Sequence, residues 1–129
     1  MSVPRTLNGF DVTAAVTRML DQPMLWWQAV GLFVAHFADW EQSWQESVGD
    51  CAREQKCVHA LRSAAANVGA TGLSEAAAAL EDQLRKCIEG SSTSVPENLR
   101  QRVQESFRQT WLSAAEAWKS GLPDSKGGA

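Results

Sequence analysis

Apolar residues recur three and four apart along almost the whole chain, and no stretch alternates apolar with polar positions as a half-buried strand would. The pattern predicts helices. A short one covers about residues 11–20, with Val12, Val16 and Met19 or Leu20 on one stripe. Asp21-Gln22-Pro23 ends it, and Pro23 suits the first turn of a second helix that runs to about Val48. The stripe of that helix is Val30, Phe33, Phe37, Trp40 and Trp44. Gly49-Asp50 makes a tight connection, and Asp50 serves as N-cap for a third helix reaching about Val68, with Cys51, Val58, Leu61, Ala65 and Val68 inward. Gly69-Ala70-Thr71-Gly72 breaks the pattern, and Thr71 stands where a fourth helix needs a cap. That helix buries Leu73, Ala77, Leu80, Leu84 and Cys87 or Ile88. Residues 90–93 read as a loop, and Ser94-Val95-Pro96-Glu97 has capping-box spacing at the head of a fifth helix. Leu99, Val103, Phe107, Trp111, Ala114 and Trp118 form its buried face.

Short connections between amphipathic helices force antiparallel neighbours. The expected fold is therefore all-α: an antiparallel up-down four-helix bundle with a short additional N-terminal helix. Residues 1–8 form an N-terminal arm, 9–120 the bundle, and 121–129 a disordered, glycine-rich tail.

Composition narrows the function mainly by exclusion. A net charge of −3 and a pI near 5.3 give no basic footprint for nucleic acid or an anionic membrane. Three cysteines, Cys51, Cys57 and Cys87, show no C-x-x-C spacing and read as free thiols in a reducing compartment. The opening residues lack a basic start followed by an apolar run, and the most apolar stretch, 24–38, is too short to span a bilayer. A soluble, cytoplasmic protein is expected. Trp26 and Trp27 adjoin, so they cannot both face the core squarely, and one of them is read as a mark of a contact surface.

His59 is where chemistry enters. Gln55, Lys56, Arg62 and Ser63 lie three and four residues away on its helix, and Ala52 and Ala66 one turn further. None belongs to the core stripe. The imidazole should point outward between two cations and over small side chains, an open platform that favours an anion. A single histidine is more often structural, and His36, at the edge of an aromatic stripe without polar company, reads that way.

The run Val58-His59-Ala60-Leu61-Arg62-Ser63-Ala64-Ala65-Ala66-Asn67-Val68-Gly69-Ala70 changes the weighting. It resembles the signature of histidine phosphotransfer (HPt) domains: His, Leu two on, Lys or Arg three on, Gly four on, an alanine-rich turn, Gly ten on, then Leu. Leu61, Arg62, Gly69 and Leu73 fill those places, and Ser63 stands where the family usually has glycine. Gly9-Phe10-Asp11, Phe33 and Phe37, Gly49-Asp50 and Leu80-Glu81 are similar too, so the resemblance covers about residues 9–118.

The resemblance implies a phosphoryl carrier in a two-component phosphorelay, without kinase activity of its own. Nε2 of His59 would attack the phosphorus of a phosphoaspartate in a receiver domain and later return the group to another aspartate. Arg62 and Lys56 would meet the charge on the equatorial oxygens. Gln55, Ser63, Ala66 and Ala52 would dock the partner, with residues 39–43 completing the patch. The partner would be the receiver domain of a response regulator or a hybrid sensor histidine kinase. No cofactor is expected on this chain, because no carboxylate cluster near His59 is evident in the sequence, and Mg²⁺ should come with the receiver's acidic pocket. The Ser63 hydroxyl would tune transfer by bonding the imidazole or the phosphate. A free-standing monomer is expected. The alternative is an adaptor that binds receivers without carrying phosphate, distinguished by a biological effect that survives His59→Gln. A sensor-kinase acceptor domain fits poorly: Ala60, not an acidic residue, follows the histidine, and no proline follows it before Pro96.

Overall fold

In a computed structural model, which describes residues 3–91 and 94–121, six helices follow one another: α1 (Val12–Arg18), α2 (Pro23–His36), α3 (Trp40–Ser47), α4 (Cys51–Val68), α5 (Thr71–Ile88) and α6 (Glu97–Gly121). The described residues contain no strand, only an isolated bridge between Leu7 and Phe10, and the chain is all-α as the periodicity predicts. Helix α4 packs on α5, α5 on α6, α6 on α2 and α2 back on α4, which closes the core; α1 lies against α2 and α4. The tail expected to be disordered falls, from residue 122 on, outside the described residues.

The expected second helix is two helices. Phe37 N–H still donates to Phe33 O at 3.0 Å, but Trp40 N–H reaches back only to Phe37 O, at 3.2 Å, and Asp39 becomes the N-cap of α3. No glycine or proline marks the break, and the apolar spacing from Phe33 to Trp44 runs through it unchanged, which is why the pattern hides it. Register against α6 also survives. Trp118 Nε1 donates to Trp27 O, Trp111 Nε1 to Val34 O, and Gln104 Nε2 to Glu41. These contacts step by seven residues in opposite directions along the two strands of helix, so α2 and α3 together run antiparallel to α6.

The tryptophans tie helix to helix. Trp26 Nε1 donates to Val68 O at 2.8 Å, filling an orphan carbonyl at the end of α4. Trp40 Nε1 donates to Cys57 O at 2.9 Å. Trp26 and Trp27 are both fully buried, contrary to the expectation that one marks a contact surface. Neighbours on a helix point about 100° apart, and here each direction has a helix to meet: Trp26 faces α4, while Trp27 stacks on Trp118 of α6. Gly31 makes room for that stack, since a Cβ there would lie 2.5 Å from the Trp118 ring.

Several caps follow the sequence and others shift. Asp11 accepts from Ala14 N and Asp50 from Arg53 N, both at 3.2 Å. Thr71 is the first residue of α5 rather than its cap, which is Ala70, and α6 starts at Glu97, later than the Ser94–Glu97 box implies. Helix α1 stops short of Leu20. Leu20 and Asp21 adopt left-handed φ of 61° and 55°, and Asp21 N–H bonds Val16 O, the closing bond of a Schellman motif. Leu20 thus leaves the stripe and is 77% exposed. Gly69 caps α4 with φ +85°; a Cβ there would sit 2.8 Å from Asp11 O, and Gly69 O accepts from Asp11 N at 2.7 Å. The α4–α5 turn is therefore also the seat of α1.

Candidate functional site

The stripe that buries Leu73, Ala77, Leu80 and Leu84 on α5 also carries Glu81, whose side chain is fully buried. A buried carboxylate is costly unless its oxygens are filled by donors. Four donors fill them. Oε2 accepts from Gln55 Nε2 at 2.7 Å, from His59 Nδ1 at 2.8 Å and from Arg85 Nη2 at 2.9 Å; Oε1 accepts from Arg62 Nη1 at 2.8 Å. Three of the donors come from successive turns of α4, and Arg85 comes from the next turn of α5.

Burial works to raise the Glu81 carboxyl pKa, but the hydrogen bonds from Arg62, Gln55 and His59 outweigh it and hold the pKa below its ordinary value. The same contact with Glu81 pushes the Arg62 guanidinium pKa up. Glu81 is therefore ionised in neutral solution, and an ionised carboxylate can only accept. The proton of a neutral His59 ring then belongs on Nδ1, which leaves the lone pair on Nε2. His59 is thus held at one nitrogen, with its side chain 53% exposed.

The residues singled out in the sequence divide into two groups. Lys56, Ala52, Ser63 and Ala66 lie exposed on the same helix as His59, and Lys56 makes no hydrogen bond or ion pair among the described residues. Gln55 and Arg62 instead turn toward α5 and cradle Glu81, so neither is simply an outward-facing group. The Ser63 hydroxyl does not bond the imidazole, whose Nδ1 is taken by Glu81. Of residues 39–43, Trp40 is buried against α4 and Glu41 pairs with Arg108 of α6, while Asp39, Gln42 and Ser43 stay exposed. His36 is exposed at the end of α2, in a shallow depression shared with Leu32, Ala64 and Asn67 of the helix face beyond Ser63.

Sequence reasoning missed Arg85 and the part played by Glu81. Glu81 sits in an apolar stripe at helical spacing, and a glutamate inside such a stripe, level with an outward histidine and flanked by cations, was the available signal. Glu54 repeats the theme deeper in the molecule. It is fully buried in the α4 stripe, takes Arg100 Nε and Nη2 at 2.9 and 2.8 Å, and accepts from Trp44 Nε1 at 3.0 Å.

No group of three or more His, Cys, Asp or Glu side chains suited to a metal occurs among the described residues, and none of their helices is long and apolar enough to cross a membrane. The family model "Hpt domain" matches residues 35–118, more than half of the chain. No curated protein and no solved structure matches it.

Proposed function

The chain belongs to the Hpt domain family, and from that premise we propose that it carries a phosphoryl group on Nε2 of His59, between aspartates of receiver domains. The observation that carries this reading is the bond from His59 Nδ1 to the buried Glu81, which leaves the lone pair of a half-exposed ring on Nε2. In the forward step the Nε2 lone pair attacks phosphorus in line, the N–P bond forms, and the P–O bond to the donor aspartate breaks, returning a carboxylate. The ring gains positive charge as this happens. Glu81, already ionised and hydrogen-bonded at Nδ1, stabilises that charge without reorganising. The reverse step restores the neutral ring and loads a second aspartate.

Lys56, Arg62 and Arg85 supply positive charge around the imidazole. Lys56 is free to meet phosphate oxygens, whereas the two arginines share their charge with Glu81 and hold a phosphoryl group only as they turn outward, which their 40% and 48% exposure permits. Both oxygens of Glu81 are occupied by N–H donors, so the carboxylate is unsuited to a divalent cation. Mg²⁺ is accordingly assigned to the receiver's acidic pocket.

The docking face is the exposed strip of α4 from Ala52 through Lys56, His59 and Ser63 to Ala66, small enough in its side chains for close approach and small enough in area for rapid release. The reading includes a monomer in the cytoplasm, served by a response regulator or a hybrid sensor kinase. Mixing the protein with a phosphorylated receiver tests it. Acid-labile, alkali-stable label should appear on the wild type and be lost in His59→Gln. Equal label on both would refute the assignment of the site, and label on neither, across several receivers with Mg²⁺, would favour an adaptor that only binds.

A further inference from the structure

The three thiols take no part in the site described above, and all three are half-buried and unbridged. Two of them face each other. Gln55 and His59 straddle Glu81, so the level of residue 57 on α4 matches residue 81 on α5. Six residues back along α4, and six onward along antiparallel α5, are Cys51 and Cys87, each about 9 Å from that level. Cys51 lies four and seven residues from Gln55 and Val58, and Cys87 three and seven from Leu84 and Leu80, which puts both on the packed faces of their helices. Burial, then a hydrogen bond with the Cys87 thiol and the proximity of its charge, push the Cys51 thiol pKa up. Cys57 is level with Glu81, six residues along α4 from Cys51, and so about 9 Å from the Cys51–Cys87 level.

We propose that Cys51 and Cys87 form a reversible disulfide that ties the start of α4 to the end of α5. The oxidant is a small-molecule disulfide. Either thiol, losing its proton to solvent, attacks one of its sulfurs, forming a mixed disulfide and releasing one thiolate, which takes up a proton. The second protein thiol then gives up its proton to solvent and attacks the Sγ of the first, expelling the second small thiolate, which is protonated in turn. The two protein thiols are oxidised, the small disulfide is reduced to two thiols, and no other reagent is consumed. The bond would close the end of the α4–α5 hairpin opposite Gly69-Ala70, next to the Glu54–Arg100 pair. The inference does not rest on phosphoryl transfer.

Incubation of the full chain with oxidised glutathione, followed by alkylation and peptide mapping by mass spectrometry, tests it. The expected product lacks two hydrogens, retains one alkylatable thiol at Cys57, and links the peptides of Cys51 and Cys87. Its melting temperature should rise by roughly 5–15 °C and return to the starting value on reduction. Persistence of all three thiols, glutathione adducts at single cysteines, or a link that includes Cys57 would overturn the proposal. The wild-type map needs no variant to fold; Cys57→Ala, which should still close the bond, serves as a second check.

Discussion

Replacing Glu81 by glutamine keeps the volume and removes the charge, and its consequences can be worked from the four bonds. The amide oxygen can take the place of Oε2 and still accept from His59 Nδ1 and Gln55. The amide NH2 then faces Arg62, a donor against a donor, and Arg62 turns into solvent. The bond at Nδ1 thus changes from charge-assisted to neutral. Such bonds differ by about 1–1.5 kcal/mol, and the difference is felt most as the ring becomes cationic during transfer, so the rate should fall about five- to tenfold. Stability should fall only modestly. The arginines are part-exposed and rehydrate, and the desolvation of a buried carboxylate is relieved, leaving a loss of about 1–2 kcal/mol. Single-turnover transfer from a phosphorylated receiver gives the rate, and urea unfolding of the same preparation gives the stability. A folded Glu81→Gln protein that transfers at the wild-type rate would refute the argument that Glu81 holds the ring for reaction.

Other outcomes follow from the same contacts. Ser63→Trp, on an exposed position one turn from His59, should cut receiver transfer at least tenfold while leaving the urea midpoint within about 0.5 kcal/mol of wild type, because it blocks approach and touches no core. Gly69→Ala should destabilise the protein by about 2–4 kcal/mol in the same assay, since it adds left-handed strain to a clash with the Asp11 backbone. Leu20→Gly should stabilise by up to about 1 kcal/mol, because Leu20 holds φ 61° at an exposed helix end. Glu81 and Glu41 both have carboxyl pKa values lowered from 4.5, Glu41 chiefly through its hydrogen bond from Arg108 against a cost of burial. Their contribution is complete above about pH 4.5 and is lost as pH falls through the lowered values, so urea midpoints should decline between pH 5 and 3, less steeply in Glu81→Gln.

The helices, their inward stripes and the outward His59 were legible because burial imposes a period that the residues of α4, α5 and α6 obey. What was illegible depended on neighbours. The turn at residues 37–39 keeps the apolar spacing on both sides and so leaves no trace in the pattern. Trp26 and Trp27 looked incompatible with a single core face because one helix was considered without the two that receive them. Arg62 looked free because its spacing from His59 speaks of one helix, while its partner Glu81 belongs to the next. A glutamate in an apolar stripe was the sign that a buried polar cradle had to exist, and Glu54 carries the same sign beside Arg100.

The most direct test is NMR of the phosphorylated protein with ¹⁵N-labelled histidine, which reports which ring nitrogen of which histidine bears phosphorus. Coupling of a single phosphorus to Nε2 of His59, with Nδ1 still protonated against Glu81, is the predicted result. Phosphorus on Nδ1, on His36, or on neither histidine after exposure to a competent receiver would contradict it.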